Sequence, residues 1–184
     1  MDYGIENGKL LLAEPFMIDT NFKRAVVLIC DCHTDGTVGF IVNKPLDVHV
    51  HELLEGFPDS DMKLFFGGPV AHDTIHFLHN KGDLIENSVK VVDGVYWGGD
   101  FDKVKFLFEN QVITPDDIKF FIGYSGWSSG QLEEELSYKS WVLANMDKNY
   151  LFSDSEMKLW SQVMNNKGGT YEVIASMSEF SNLN

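Results

Sequence analysis

The longest apolar run, Ala25-Val26-Val27-Leu28-Ile29-Cys30, is followed closely by Thr37-Val38-Gly39-Phe40-Ile41-Val42. β-Branched and aromatic residues dominate both stretches, which predicts strands over residues 25–32 and 37–42, buried on both faces. Between them lies His33-Thr34-Asp35-Gly36, whose Asp-Gly step suits a hairpin turn. Asp47 is a candidate N-cap for a short helix over 48–55, stopped by Gly56 and Pro58. Further short strands are predicted over 63–66, 75–79, 89–92 and 95–97, separated by Lys81-Gly82-Asp83 and Asp93-Gly94 turns.

The apolar period then lengthens. Asp100 caps a predicted helix in which Phe101, Val104, Leu107 and Phe108 share one stripe. Thr114-Pro115-Asp116-Asp117 has the cap-then-proline order of one helical turn, before a strand over 118–124. Ser153 and Glu156 have capping-box spacing, and Met157, Trp160, Val163 and Met164 form the apolar face of a last helix closed by Gly168-Gly169. Strands and helices interleave without a βαβ rhythm, a repeat or a linker. The expectation is one α+β domain over residues 1–184.

Charge narrows the functional classes. Fourteen Lys and Arg against twenty-eight Asp and Glu give a formal net charge of −14, and Arg24 is the single arginine. The lysines are scattered, so the sequence marks out no basic patch, and nucleic acid and anionic membranes are disfavoured as partners. The start, Met1-Asp2-Tyr3-Gly4-Ile5-Glu6, is acidic where a secretory signal is basic, and the six-residue run at Ala25 falls far short of the ~20 residues of a membrane span. A cytoplasmic protein is expected. Cys30 and Cys32 read as reduced, small buried hydrophobes sharing one strand face.

Candidate chemistry concentrates in Gly123-Tyr124-Ser125-Gly126-Trp127-Ser128-Ser129-Gly130-Gln131-Leu132-Glu133. Ser128 matches the G-x-S-x-G pattern of serine hydrolases, but a strand ending near Tyr124 leaves it beyond the strand. The last histidine is His79, which excludes the Ser…Asp…His chain order. In structural terms the glycines serve tight turns, Tyr124 and Trp127 anchor packing, and Ser129 caps a helix. The same glycine-rich turn could cradle an anion with backbone N–H groups, and Gly67-Gly68-Pro69 could form a second such concavity. Neither carries a nucleotide fingerprint, so no cofactor is expected. His49 and His51 point about 200° apart on a helix, and no metal site is expected from them or from His76 and His79. Glu133-Glu134-Glu135 complements a helix dipole, with Gln131 and Glu135 on one face.

Several blocks resemble the bacterial YqgE/AlgH family: Leu12-Ala13-Glu14-Pro15-Phe16-Met17, Phe22-Lys23-Arg24, Asn43-Lys44-Pro45-Leu46, Gly67-Gly68-Pro69-Val70, Leu78-His79, and the stretch from Gly123 to Glu133. The sequence departs from the family pattern at Ser125, where alanine is usual, and near Ser128, where glycine is usual. The resemblance implies an α+β fold of coiled, bifurcated, mostly antiparallel sheets with a few packed helices, and a cytosolic location. Family members are labelled transcriptional regulators by association with alginate control, or uncharacterised. Arg24, Asn43, His79, Gln131 and Glu133 sit on block positions and are candidate binding residues, together with the glycine loops. The leading expectation is a non-enzymatic regulatory protein acting through a protein partner or a small anionic ligand. The competing one is a hydrolase or transferase using His79 and a carboxylate as general acid and base.

Overall fold

The computed structural model describes residues 3–152 and 156–180. The two apolar runs become β2 (Val26–His33) and β3 (Gly36–Ile41), an antiparallel hairpin in which His33 pairs with Gly36. The loop is therefore Thr34-Asp35, and the glycine of the Asp-Gly step already belongs to β3. β1 (Lys9–Ala13) pairs with β2, and β10 (Trp141–Asn145) pairs with the other edge of β1. Leu10 and Leu12 enter one apolar cluster with Val26 and Leu28, while Leu11 and Ala13 enter another with Val27 and Ile29. Both faces are thus covered, which is why these strands lack polar positions.

A bulge between Ile29 and Asp31 breaks the alternation. Cys30 still follows Val26 and Leu28 into the first cluster, but past the bulge Cys32 lies against the second, so the two thiols do not share the face that a regular strand predicts. Burial, with the Asp31 carboxylate adding to it, pushes the Cys30 thiol far above its ordinary range and leaves it unreactive at neutral pH.

β9 (Ile118–Ser128) joins two sheets. Its residues 125–128 pair with β3, while its earlier part lies between β5 (Lys63–Phe66), in parallel, and β6 (Val70–His79), antiparallel. β8 (Val95–Trp97) and β7 (Val89–Val92) extend the second sheet beyond β6, and β4 (Pro45–His49) pairs with β5. The fold is α+β, with a curled, bifurcated and mostly antiparallel sheet. The strand over 118–124 runs on to Ser128 because β3 supplies a pairing partner that the local pattern does not reveal. β6 likewise begins at Val70 rather than at Ile75.

Helices seal the apolar clusters. α5 (Glu156–Lys167) contributes Leu159, Trp160, Val163 and Met164 to the first, and α6 (Thr170–Phe180) contributes Ala175. α4 (Lys148–Leu151) adds Leu151 there. α3 (Gln131–Ser137) places Leu132 and Leu136 on the second cluster. α2 (Phe101–Glu109), capped by Asp100 accepting from Lys103 N at 3.1 Å, lays Val104 and Leu107 on a third cluster with Phe57, Phe77 and Phe120. Residues 115–117 form the single turn expected after Thr114.

Three helix expectations change. The helix over 48–55 contracts to α1 (Val50–Leu53), because β5 recruits residues 45–49 as a strand. Its cap is His49 rather than Asp47, with the His49 N–H donating to Glu52 at 2.8 Å. Met157 is 85% exposed and not part of the core face. Gly168-Gly169 closes α5, but α6 follows, a helix the apolar pattern does not reveal. The Ser153 half of the capping box lies outside the described residues. No helix among the described residues is long and apolar enough to cross a membrane.

Candidate functional site

The glycines predicted to cradle an anion instead let two backbones cross. A Cβ at Gly67 would lie 2.3 Å from Gly123 O, and one at Gly68 would lie 2.3 Å from Tyr124 C and O. Gly123, at φ +66°, meets Gly68 O and Val70 O in the same way at 2.6 and 2.7 Å. Contacts this short exclude any side chain. The N–H of Gly67 already donates to Ile122 O at 2.9 Å, and Gly67 O accepts from the buried Ser125 hydroxyl at 3.1 Å. Gly67-Gly68 is thus a packing device. Pro69 follows it on the surface, and Tyr124 packs edge-on against His76 at 6.0 Å.

Downstream, Gly126 pairs with Val38 within the sheet, and Gly130 rather than Ser129 occupies the cap position of α3. Ser128 ends β9 and donates from both N and Oγ to Gln131 Oε1, at 3.0 and 3.2 Å. Its hydroxyl faces an amide oxygen, which is not a base. Gln131 Nε2 donates to Glu135 Oε1 at 2.9 Å, and the indoles of Trp127 and Trp141 donate to Glu135 Oε2 at 2.9 and 2.7 Å. Glu135 therefore clamps α3 to β9 and β10, while Glu133 faces solvent. The four-residue spacing from Gln131 to Glu135 was the signal that separates these carboxylates.

His79 is fully buried, with Nε2 2.9 Å from Gly98 O and Nδ1 accepting from Lys81 N at 3.1 Å. This pairing defines the Nε2–H tautomer. Both nitrogens are held by backbone, and the Tyr96 ring stacks on the imidazole at 5.8 Å. Glu133 lies on α3 against another cluster, so the fold does not bring this histidine and that carboxylate together. Burial lowers the His79 pKa, partly offset by the bond to Gly98, and burial also lowers that of His76. Because the folded value lies below the unfolded value near 6.5, the unfolded chain gains protons first on acidification. Stability present above about pH 6.5 should therefore decline as pH falls towards the folded value. Urea midpoints from pH 7.5 to 5 check this, and His79→Gln should flatten the slope; an unchanged slope would contradict the assignment.

Arg24 and Asn43 do come together. They line a cleft of ≈ 690 Å³ with Lys23 and Lys44, bounded by Phe66 and by Trp160 and Met157 of α5. Asn43 is buried and bridges the chain, its Oδ1 accepting from Val26 N at 2.8 Å and its Nδ2 donating to Arg24 O at 2.9 Å. Arg24 adopts φ +55°, an unusual conformation for a residue with a side chain. Its guanidinium lies over the Trp160 ring at 5.6 Å, and that indole donates to Ala13 O at 2.9 Å. Lys44 Nζ donates to Thr20 O and Asn21 O at 3.2 and 2.6 Å. Burial lowers the Lys44 pKa, with the Asp19 carboxylate opposing. Among the described residues lining the cleft, none is a carboxylate. Lys23, Arg24 and Lys44 thus line one cleft, with the Asp19 carboxylate acting on Lys44 beside it. Lys44 was legible only as the neighbour of Asn43.

The His49 and His51 rings converge, stacked at 5.6 Å, because His49 is extended and not helical. Glu52 and Ser60 O bind their Nδ1 atoms at 2.9 and 3.1 Å. Among the described residues no group of three or more His, Cys, Asp or Glu is placed to hold a metal ion.

The curled, bifurcated α+β sheet defines the class of this protein by its fold. Residues 10–172 match the family described as AlgH-like (DUF179), and the chain belongs to it. A UPF0301 protein from Chlorobium phaeobacteroides is 43% identical over 180 residues, covering 98% of this chain and 96% of the relative. The solution structure of AlgH from Pseudomonas aeruginosa is similar at a TM-score of 0.73 and 26% identity, covering 88% of each chain. A crystal structure from Corynebacterium diphtheriae shares the fold at a TM-score of 0.78 and 20% identity, covering 93% of this chain and 92% of that one.

Proposed function

We propose that this protein is a non-enzymatic, cytoplasmic regulatory protein that binds a small anionic ligand in the Arg24–Lys44 cleft. The supporting observation is the convergence of Lys23, Arg24 and Lys44 on one concavity of a chain whose net charge is −14. Fixed cations in a partly desolvated cleft attract an anion more strongly than the same cations spread over a surface. Three cations fall short of the extended basic face that binds a duplex, so the family's regulator label is read as indirect. Ligand occupancy would reach a protein partner through α5, which forms one wall of the cleft.

Thermal-shift measurements at low ionic strength against a panel of organic anions test this. A ligand at 100 times its Kd adds about 2.7 kcal/mol, which should raise Tm by roughly 5–10 °C. The Arg24→Gln/Lys44→Gln variant should melt cooperatively and lose that rise. Failure of every anion, or an equal rise in the variant, would overturn the reading.

A further inference from the structure

We propose that His49 and His51, the two imidazoles at the β4–α1 corner, form an exchangeable site for a borderline divalent transition ion such as Zn²⁺ or Cu²⁺, separate from the cleft. The expectation of no metal site here rests on helical spacing, which sets residues two apart on different faces. His49 is instead extended, at φ −88° and ψ 152°, and the two rings lie within 8° of parallel with their centroids 5.6 Å apart. That separation fits a shared ion. With metal–nitrogen bonds of about 2.1 Å and each nitrogen roughly 1.1 Å from its ring centre, two imidazoles on one ion have centroids about 4.5–6.4 Å apart as the bond angle opens from about 90° to 180°.

Protonation points the same way. A carboxylate only accepts, so the 2.9 Å contact between His49 Nδ1 and Glu52 Oε1 puts the proton of the neutral ring on Nδ1. The Glu52 N–H that closes this capping box makes no cap hydrogen bond to the ring. His51 Nδ1 lies 3.1 Å from Ser60 O and 3.5 Å from Ser60 N, and the shorter contact sets the same tautomer. Both rings thus present Nε2 as a bare lone pair, and neither Nε2 has a protein partner among the described residues. An Nδ1–H anchored on a carboxylate or a carbonyl is the arrangement that orients metal-binding histidines. Residues 47–63 carry five carboxylates, Asp47, Glu52, Glu55, Asp59 and Asp61, against one cation, Lys63. Lys63 pairs in register with His49, and its ammonium lies 3.5 Å from Asp47. This excess favours a cation, and imidazole selects zinc, copper and nickel over magnesium and calcium. No group of three or more His, Cys, Asp or Glu forms here among the described residues, so water completes the coordination and the ion stays exchangeable.

Long-range ¹⁵N–¹H spectra of the histidine rings, recorded while the full chain is titrated with Zn²⁺ at pH 7.5, read each Nε2 directly. One equivalent should shift the Nε2 signals of His49 and His51 in parallel and leave the other four histidines in place. By calorimetry, His49→Gln and His51→Gln should each weaken Zn²⁺ binding at least tenfold, while Cys32→Ser should leave it unchanged. Where a variant loses its fold, the wild-type ring spectra decide by themselves. Movement of only one of the two Nε2 signals, two independent equivalents, a first equivalent held at Cys32 and His33, or no shift at tenfold excess of zinc would overturn the shared site. None of these outcomes bears on the cleft.

Discussion

Gly68→Ala should destabilise the protein by about 3–5 kcal/mol, a large share of the 5–15 kcal/mol typical of a whole domain. Two effects combine at this position. Gly68 has φ +152°, which side chains rarely adopt, and the added methyl would meet the Tyr124 carbonyl at 2.3 Å and Ser125 N at 2.4 Å. Those atoms belong to β9, the strand shared by both sheets, so the clash cannot be relieved by moving one flexible side chain. Gly130→Ala is the internal comparison. Its φ is +77°, yet nothing lies within 4 Å of the added methyl. It should lose only the roughly 1–2 kcal/mol of the left-handed conformation. Urea denaturation of both variants isolates the close approach, and equal losses would refute it.

Removing the Glu135 carboxylate should be comparably damaging. Glu135→Ala leaves the Trp127 and Trp141 indole N–H groups, with Trp127 5% and Trp141 4% exposed, without their acceptor. An unsatisfied buried donor costs about 1–3 kcal/mol, so a loss of roughly 3–5 kcal/mol is expected once the Gln131 contact is included. Glu135→Gln retains one acceptor oxygen and should recover about half of that. Near-UV circular dichroism should change with both, because Trp127 and Trp141 meet edge-on at 5.8 Å around this carboxylate. A Glu135→Ala protein with wild-type stability and an unchanged aromatic signal would show that the clamp is incidental.

These residues also show where sequence patterns carry structural information and where they stop. The β2–β3 hairpin was legible because apolarity and turn chemistry are both local. The length of β9 was not, since the pairing of residues 125–128 depends on β3, far away in the chain. For the same reason Gly67-Gly68 and Gly123 read as loops for a ligand, although their common purpose is mutual approach. The bulge in β2 undid a regular period and separated Cys30 from Cys32.

The cleft was half legible. Arg24 and Asn43 stood out on block positions, but the cleft also needs Lys44 beside Arg24, and the β2–β3 pairing together with the Asn43 bridge brings them together. His79 stood out equally, and it is held by two backbone groups inside the sheet. A polar residue in a recognisable block can thus serve either a surface cleft or an interior bond. Burial separates the two.

The most direct test of the cleft as the binding site is a ¹⁵N–¹H chemical-shift titration with the organic anion that raises Tm most. Saturable shifts should centre on residues 20–24, 43–46 and 157–161, which with Phe66 line the cleft. Shifts centred on Gly67-Gly68 or on residues 126–130, or no saturable shift at all, would contradict the account.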